Sequence, residues 1–179
     1  STLVLNMACA VASGEPLDGR SVKQGAVMIL QGENSLGLER RKIIDITGRD
    51  DLPIYFVESF ITLDKIGKLR RHIAEHGIKL LIIDPLYLLF GVGDITSRLQ
   101  ELTRIRDGYG CSVILVHHSR KLDKGSKMST SDLYGSSFIE GWYESMVLLQ
   151  RNGISSSRAV TYFRNHKSGD RYDLVVDDS

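Results

Sequence analysis

The chain has 179 residues, of which 42% are hydrophobic and 25% are charged, and this composition is typical of a globular protein rather than a disordered or fibrous one. The length is that of one domain with one core, so we predict a single domain over residues 1–179. The formal net charge of +1 gives no general indication of a nucleic-acid or membrane partner, and any basic surface must be local.

The first half of the chain alternates predicted helices and strands. Thr2–Ser13 is rich in Ala, Leu and Met and ends before Gly14, which predicts a buried helix. A loop leads to the apolar run AVMIL at Ala26–Leu30, a predicted buried strand. The next predicted elements are a helix over Leu36–Thr47, a short strand over Ile54–Val57 and an amphipathic helix over Thr62–Glu75.

The central stretch is KLLIIDP at Lys79–Pro85, where four aliphatic residues lead to an acid. Because the aliphatic residues do not alternate with polar ones, the pattern predicts a strand buried on both faces, as in a parallel sheet covered by helices. Asp84 lies at the carboxyl end of this strand, which is the edge where ligands bind in open α/β sheets. An acid that only caps a turn is the alternative interpretation.

The second half continues the alternation and ends in strands. A helix is predicted over Ile95–Tyr109, and the strand Cys111–Val116 delivers His117 and His118 to its carboxyl end. Residues Ser119–Ser131 are polar and basic without periodicity, which predicts a loop. The remaining predicted elements are a short helix over Leu133–Tyr143 and strands over Ser145–Leu149, Ala159–Arg164 and Tyr172–Val176.

This order of elements predicts an α/β fold, in which a mostly parallel sheet is flanked by helices and antiparallel strands extend its C-terminal edge. Cys9 and Cys111 lie in apolar stretches without metal-ligand spacing, which favours buried, reduced thiols in a cytoplasmic protein. No apolar run is long enough to span a bilayer, so we expect no membrane partner.

Polar residues that follow three predicted strands carry a resemblance to a known family. Glu33 follows one strand, Asp84 another, and His117 with His118 a third, and a basic loop lies beyond. In order and spacing the chain resembles the RecA-like ATPase core, and within it the RepA-type hexameric replicative helicases of plasmids and phages, relatives of DnaB and KaiC. The matching stretches are STLVLNMACAVASG, similar to the helix after a P-loop; ILQGENSLGLERRK, similar to the strand with the catalytic acid; VILVHHSRK, similar to the sensor strand; and LYGSSFIEGWYESMVLLQR, similar to the segment after the DNA-facing loop.

The resemblance implies a role for each strand-end side chain. Asp84 would occupy the Walker B position and hold the Mg²⁺ of bound ATP, in keeping with the preference of that ion for carboxylates. Glu33 would be the general base that orients and activates the attacking water. His117 would sense the γ-phosphate, with His118 as its competitor. The alternatives are a structural histidine and, for Glu33, an acid favoured by the dipole of the following helix.

The resemblance also implies roles for cations in the second half. The loop after His118 would contact the phosphates of single-stranded DNA in the channel of a hexamer, although a solvated charged loop is the alternative. Its basic residues are Arg120, Lys121, Lys124 and Lys127. The stretch FRNHKSG resembles the turn that reaches the nucleotide of a neighbouring subunit, with Lys167 at the expected finger position and Arg164 as the other candidate. Lysine cannot make bidentate phosphate contacts, which weakens the assignment of Lys167 as the finger residue.

One part of the family pattern is missing. The phosphate-binding sequence G-x-x-x-x-G-K-[ST] should end where the chain begins, which makes Ser1 or Thr2 its hydroxyl residue and Ser1 a candidate Mg²⁺ ligand. Without the glycines and lysine that cradle the phosphates, we expect little ATPase activity from these residues alone. The missing strand also predicts unpaired apolar strand edges. We expect a piece of a larger ATPase, and a degenerate protein without a nucleotide site is the alternative.

Other functions for the same sheet stay open. A catalytically silent subunit or nucleic-acid-binding module would bind DNA in a salt-sensitive manner without nucleotide dependence. Another RecA-like ATPase, such as a KaiC-like regulator or a recombinase, would share the site and differ in its partner. The preferred interpretation is the core of an ATP-dependent DNA helicase.

Overall fold

In the computed structural model, the chain divides into two compact units, Ser1–His117 and His118–Ser179. Each unit contributes a sheet. The structure describes residues 2–32, 34–57, 65–86, 95–118, 139, 141–151, 156–165 and 171–175.

The first unit is a parallel sheet with helices. Its strands are β1 (Ala26–Gln31), β2 (Ile54–Val57), β3 (Ile78–Asp84) and β4 (Ser112–Leu115), and its helices are α1 (Thr2–Ser13), α2 (Leu36–Thr47), α3 (Ile66–Glu75) and α4 (Ile95–Tyr109). The strands pair in the order β2-β1-β3-β4, and every pair is parallel. Each strand is joined to the next along the chain by a segment that contains a helix, as parallel pairing requires. The predicted α/β fold with a parallel sheet is confirmed.

The second unit contains three antiparallel strands, β5 (Ser145–Arg151), β6 (Ser156–Phe163) and β7 (Arg171–Val175). They pair in the order β5-β6-β7. The prediction of antiparallel strands near the C-terminus is confirmed, but in the described residues they form a sheet of their own instead of extending the edge of the first. The predicted helix over Leu133–Tyr143 lies largely outside the described residues.

Aliphatic side chains of the central strands form the core of the first unit. Leu80, Leu81, Ile82 and Ile83 of β3 are all buried, as predicted for a strand covered on both faces. Burying one such side chain contributes roughly 1.5–3 kcal/mol. Helix α1 packs Leu5, Ala8 and Ala12 into a cluster with residues of β1 and β3, while Thr2 is exposed. Every residue of the helix after Thr2 is buried or half-buried, so the predicted buried helix is confirmed.

Local sequence sets the ends of α2, which lie where they were predicted. Ser35 is the N-cap, and its hydroxyl accepts a hydrogen bond from the Leu38 N–H at 3.4 Å. Gly48 follows the helix with a φ of 66°, and its N–H donates to the Ile44 carbonyl. Glycine suits this left-handed position because it has no Cβ to clash with the backbone.

The centre of the sheet has no open edge. Strand β3 pairs with β1 on one side and with β4 on the other, so the prediction that neighbouring apolar strands would be left unpaired is wrong for these strands. Direct pairing satisfies the backbone N–H and C=O groups that an open edge would leave without partners.

A close backbone approach at Gly25 gives a test of the fold. A Cβ added at Gly25 would lie 2.6 Å from Cβ and 2.7 Å from Cγ of Lys79, and neither atom is at the flexible end of that side chain. We therefore expect Gly25→Ala to lower the free energy of unfolding by about 1–3 kcal/mol, measured by urea denaturation. Gly37→Ala is the matched control, because a Cβ there meets nothing within 4 Å; an equal loss in both variants would contradict the steric explanation.

The two buried thiols give a second test. Cys9 and Cys111 are 2% and 1% exposed, and burial raises the pKa of each from 9.0 to about 11. At pH 8 a thiol reagent should modify the native protein at least ~100-fold more slowly than the unfolded protein, because the reactive thiolate is that much rarer.

The raised pKa of the two thiols also determines how the free energy of unfolding changes with pH. The unfolded chain releases thiol protons near pH 9 that the folded chain retains until about pH 11, so the free energy of unfolding should fall across this interval. The Cys9→Ala/Cys111→Ala double variant should show a smaller fall. Identical pH profiles, or equal reagent rates in the native and unfolded protein, would contradict the burial of the thiols.

Candidate functional site

The carboxyl ends of neighbouring strands bring polar side chains together. Gln31 at the end of β1 lies opposite Asp84 at the end of β3 in the parallel register. Beyond β4, the Val116 N–H donates to the Ile83 carbonyl at 2.9 Å, and the Val116 carbonyl accepts from the Leu86 N–H at 2.6 Å. The backbone just before His117 is therefore tied to both sides of Asp84.

A cleft opens at this edge of the sheet. It is small, with a cavity volume of about 30 Å³. Its lining includes the apolar residues Ile29 and Ile82 and the polar residues Gln31 and Asp84. The remaining lining residues are Val4 and Leu5 in α1, Asn34 before α2, and Glu39 in α2. Because Val4 and Leu5 belong to the start of α1, the N-terminal part of that helix borders the same cleft as Asp84.

A hydrogen-bonded network shapes one wall of the cleft. The Gln31 side-chain amide donates to the Asn34 carbonyl at 2.5 Å, and its oxygen accepts from the Asn34 N–H at 3.2 Å. The Asn34 side chain in turn donates to Oε1 of Glu39 at 2.8 Å. Lys42 Nζ donates to the same oxygen at 2.8 Å. The network joins the end of β1 to the first turns of α2.

The burial of Glu39 has a physical explanation in this network. The residue is 8% exposed, and a buried carboxylate is costly unless it is paired and hydrogen bonded. Lys42 supplies the opposite charge and Asn34 supplies a second donor. Glu39 also lies in the first turns of α2, where the helix dipole favours negative charge.

The sequence did not single out Gln31, Asn34 or Glu39 as site residues. The only signal for Gln31 and Asn34 was the polar run QGENS directly after an apolar strand. Glu39 stands beside Arg40 and Arg41 in a pattern that resembles a solvated helix face. Its burial follows from tertiary contacts, so local sequence carried no signal for it.

The structure places some of the predicted residues and leaves others outside its described part. Asp84 is half-buried and lines the cleft, and Thr2 is the exposed first residue of α1. His117 is half-buried and His118 exposed, both directly after β4. Those outside the described residues are Ser1, Glu33, Arg120, Lys121, Lys124, Lys127 and Lys167.

Arg164 lies in the second unit, directly after β6. It is exposed. Its guanidinium donates to the Gly141 carbonyl, and its backbone N–H donates to the Glu144 carbonyl at 3.0 Å. These contacts hold the start of the segment that follows β6 against the residues that precede β5.

The donor set of the cleft fits a hard cation beside an anion. The Asp84 carboxylate is the type of oxygen ligand that Mg²⁺ prefers. A helix N-terminus presents backbone N–H groups and the positive end of its dipole, which together favour phosphate. Val4 and Leu5 in the first turn of α1 line the cleft together with Asp84, so a helix N-terminal turn and a carboxylate occur at one edge of the sheet.

A four-stranded parallel sheet of this order, flanked by helices and with an acid at the end of a central strand, is consistent with a RecA-like ATPase class of fold. A family model described as an AAA domain matches residues 1–124. The chain therefore belongs to the AAA domain family, and its function is of the ATPase type, with nucleotide binding. No individual curated protein matches the chain. Within the described residues, every helix falls short of the length and hydropathy needed to cross a bilayer.

The Gln31 network gives a test of how the cleft wall is held. Gln31→Leu keeps the volume of the side chain but removes both bonds to the Asn34 backbone. We expect a loss of about 1 kcal/mol in the free energy of unfolding, together with faster hydrogen exchange at the Asn34 amide. Asn34→Ala is the matched control, because it removes the bond to Glu39 and keeps the backbone bonds to Gln31. Unchanged exchange at Asn34 in Gln31→Leu would contradict this account.

Proposed function

We propose that the chain is the ATPase core of a RepA-type DNA helicase or translocase, acting as a hexameric ring on single-stranded DNA. The observation that supports this proposal best is the cleft in which Asp84 and Gln31, at the ends of paired strands, meet the start of α1. The two units, over residues 1–179, would together serve as one ATPase core.

In this proposal Asp84 holds the Mg²⁺ of bound ATP, with the hydroxyl of Ser1 as a further ligand and Thr2 beside the phosphates. The ion supplies charge neutralisation at the phosphate oxygens. Glu33 accepts a proton from the attacking water and orients it toward the terminal phosphate.

His117 is proposed to report the state of the nucleotide. It follows Val116, whose backbone bonds to Ile83 and Leu86 link it to both sides of Asp84. An imidazole at this strand end can hydrogen bond a phosphate oxygen or the catalytic acid. A change in that bond would alter the start of the predicted loop over Ser119–Ser131 and thereby couple hydrolysis to DNA contacts.

Binding of DNA is assigned to the basic loop. Its residues Arg120, Lys121, Lys124 and Lys127 would contact backbone phosphates with little sequence preference and with strong salt dependence. In the ring, Arg164 or Lys167 would approach the nucleotide of the adjacent subunit and stabilise transition-state charge. Residues 1–179 contain no G-x-x-x-x-G-K-[ST] sequence, so we propose that these residues on their own hydrolyse ATP weakly.

The test is Mg²⁺-dependent ATP hydrolysis by the protein expressed from its complete reading frame, with and without single-stranded DNA. We expect Asp84→Asn and Glu33→Gln each to lower kcat by about 10²–10³-fold, since each removes a charge that acts on the transition state. Asp45→Asn is the control, because Asp45 is an exposed acid on α2, and it should retain the wild-type rate.

The possible outcomes distinguish a helicase or translocase from another ATPase and from a binding module without enzymatic activity. Turnover that DNA stimulates, and that falls as salt increases, supports the helicase or translocase assignment. Turnover that DNA leaves unchanged overturns that assignment in favour of another RecA-like ATPase. DNA binding without hydrolysis or nucleotide dependence overturns the enzymatic role and identifies a silent binding module.

A further inference from the structure

We propose a second metal site, for Zn²⁺, at the C-terminal end of α3, formed by His72, Glu75 and His76. One ligand atom from each of these side chains lies within 4.8 Å of the others. The residues stand three and four positions apart, and this spacing places them on one face of a helix. All three are exposed, so an ion can reach them from solvent and the side chains can adjust around it.

The backbone holds the two histidines one helical turn apart. The His76 N–H donates to the His72 carbonyl at 3.0 Å, which is the i to i+4 bond of an α-helix. His76 itself follows the last residue of α3 with φ −97° and ψ 1°. The two imidazole rings are nearly parallel, with 12° between their planes and 6.1 Å between their centroids. A ligand nitrogen of each ring lies within 4.8 Å of the other, so both can face a shared ion.

A neighbouring strand positions one of the ligands. The ring of Tyr55 in β2 stacks on His76 at a centroid distance of 4.3 Å, with 27° between the planes. This contact restricts the orientation of His76 before any ion binds, and a restricted ligand loses less side-chain entropy on binding. Glu75 already approaches His72, with 3.5 Å between Oε2 and Nδ1.

The donor chemistry selects the ion. Two imidazole nitrogens and one carboxylate oxygen form a common three-ligand set for Zn²⁺, which leaves the fourth tetrahedral position to water. Imidazole also suits Ni²⁺ and Cu²⁺, whereas Mg²⁺ prefers oxygen ligands and keeps its waters. The contact between His72 and Glu75, each with a side chain 53% exposed, adds little to stability because it is open to solvent.

The position separates this site from the cleft. His76 lies two residues before β3 begins at Ile78, whereas Asp84 is the last residue of that strand. A strand of this length spans about 20 Å, so the two sites lie toward opposite ends of the sheet. An ion on α3 would tie the end of that helix, through His76 and Tyr55, to the edge strand β2.

The test is Zn²⁺ titration of the metal-free protein by calorimetry at pH 8, because ligation requires neutral imidazole. We expect one Zn²⁺ per chain, unaffected by excess Mg²⁺. His72→Gln should lower the affinity at least about tenfold, as loss of even an outer-shell partner does, and so should His76→Gln. Glu75→Gln should weaken binding as well. His118→Gln is the control, since it removes an exposed imidazole outside the cluster, and its affinity should equal that of the wild type.

Folding and binding can be read separately in these variants. His72 is exposed and lies outside the stacking contact with Tyr55, so circular dichroism of His72→Gln should match that of the wild type even if His76→Gln is perturbed. Wild-type Zn²⁺ affinity in folded His72→Gln, or loss of binding in His118→Gln alone, would overturn the site. Neither outcome depends on ATP hydrolysis, so this test and the test of the ATPase role can fail independently.

Discussion

The pairing of β1 with β3 is the constraint on which the rest of the first unit depends. In its register Gln31 lies opposite Asp84, and the aliphatic residues that precede each of them are buried. Successive side chains of a strand point to opposite faces, so a slip of one residue would exchange the faces of the whole strand. Asp84 would then turn away from the face that α1 covers. The hydrophobic effect thus determines not only the core but also the direction of the polar groups at the strand ends.

The elements of the first unit could be predicted because their patterns are local. The unbroken aliphatic run before Asp84 specified a doubly covered strand, and that strand placed Asp84 at the ligand-binding edge. The predicted bounds of α2 and α4 agree with the structure, because each helix ends at the residue directly before a glycine, Gly48 or Gly110. The local sequence did not indicate which strands the C-terminal strands would pair with. The sequence pattern predicted strands close to β5, β6 and β7, but which sheet they join depends on contacts distant in sequence.

In the cleft, too, some residues could be predicted from local sequence and others could not. Asp84 could be assigned from its strand, whereas Glu39 could not, because only the folded chain brings Asn34 and Lys42 to its carboxylate. The roles of Glu33, His117 and the basic loop stay predictions that rest on resemblance. Membership of the AAA domain family, matched over residues 1–124, supports nucleotide chemistry in the first unit and leaves the task of the antiparallel sheet to experiment.

The bonds between Gln31 and the Asn34 backbone carry a consequence for how such a protein can diversify. They anchor both ends of the short segment that contains positions 32 and 33, and neither bond uses the side chain of residue 33. In the proposed function Glu33 is the general base, so mutation at that position would change reactivity without a new scaffold having to evolve. A hydrolysing enzyme and a sensor that retains its nucleotide could differ by one codon, which makes this segment a natural point of divergence between paralogues.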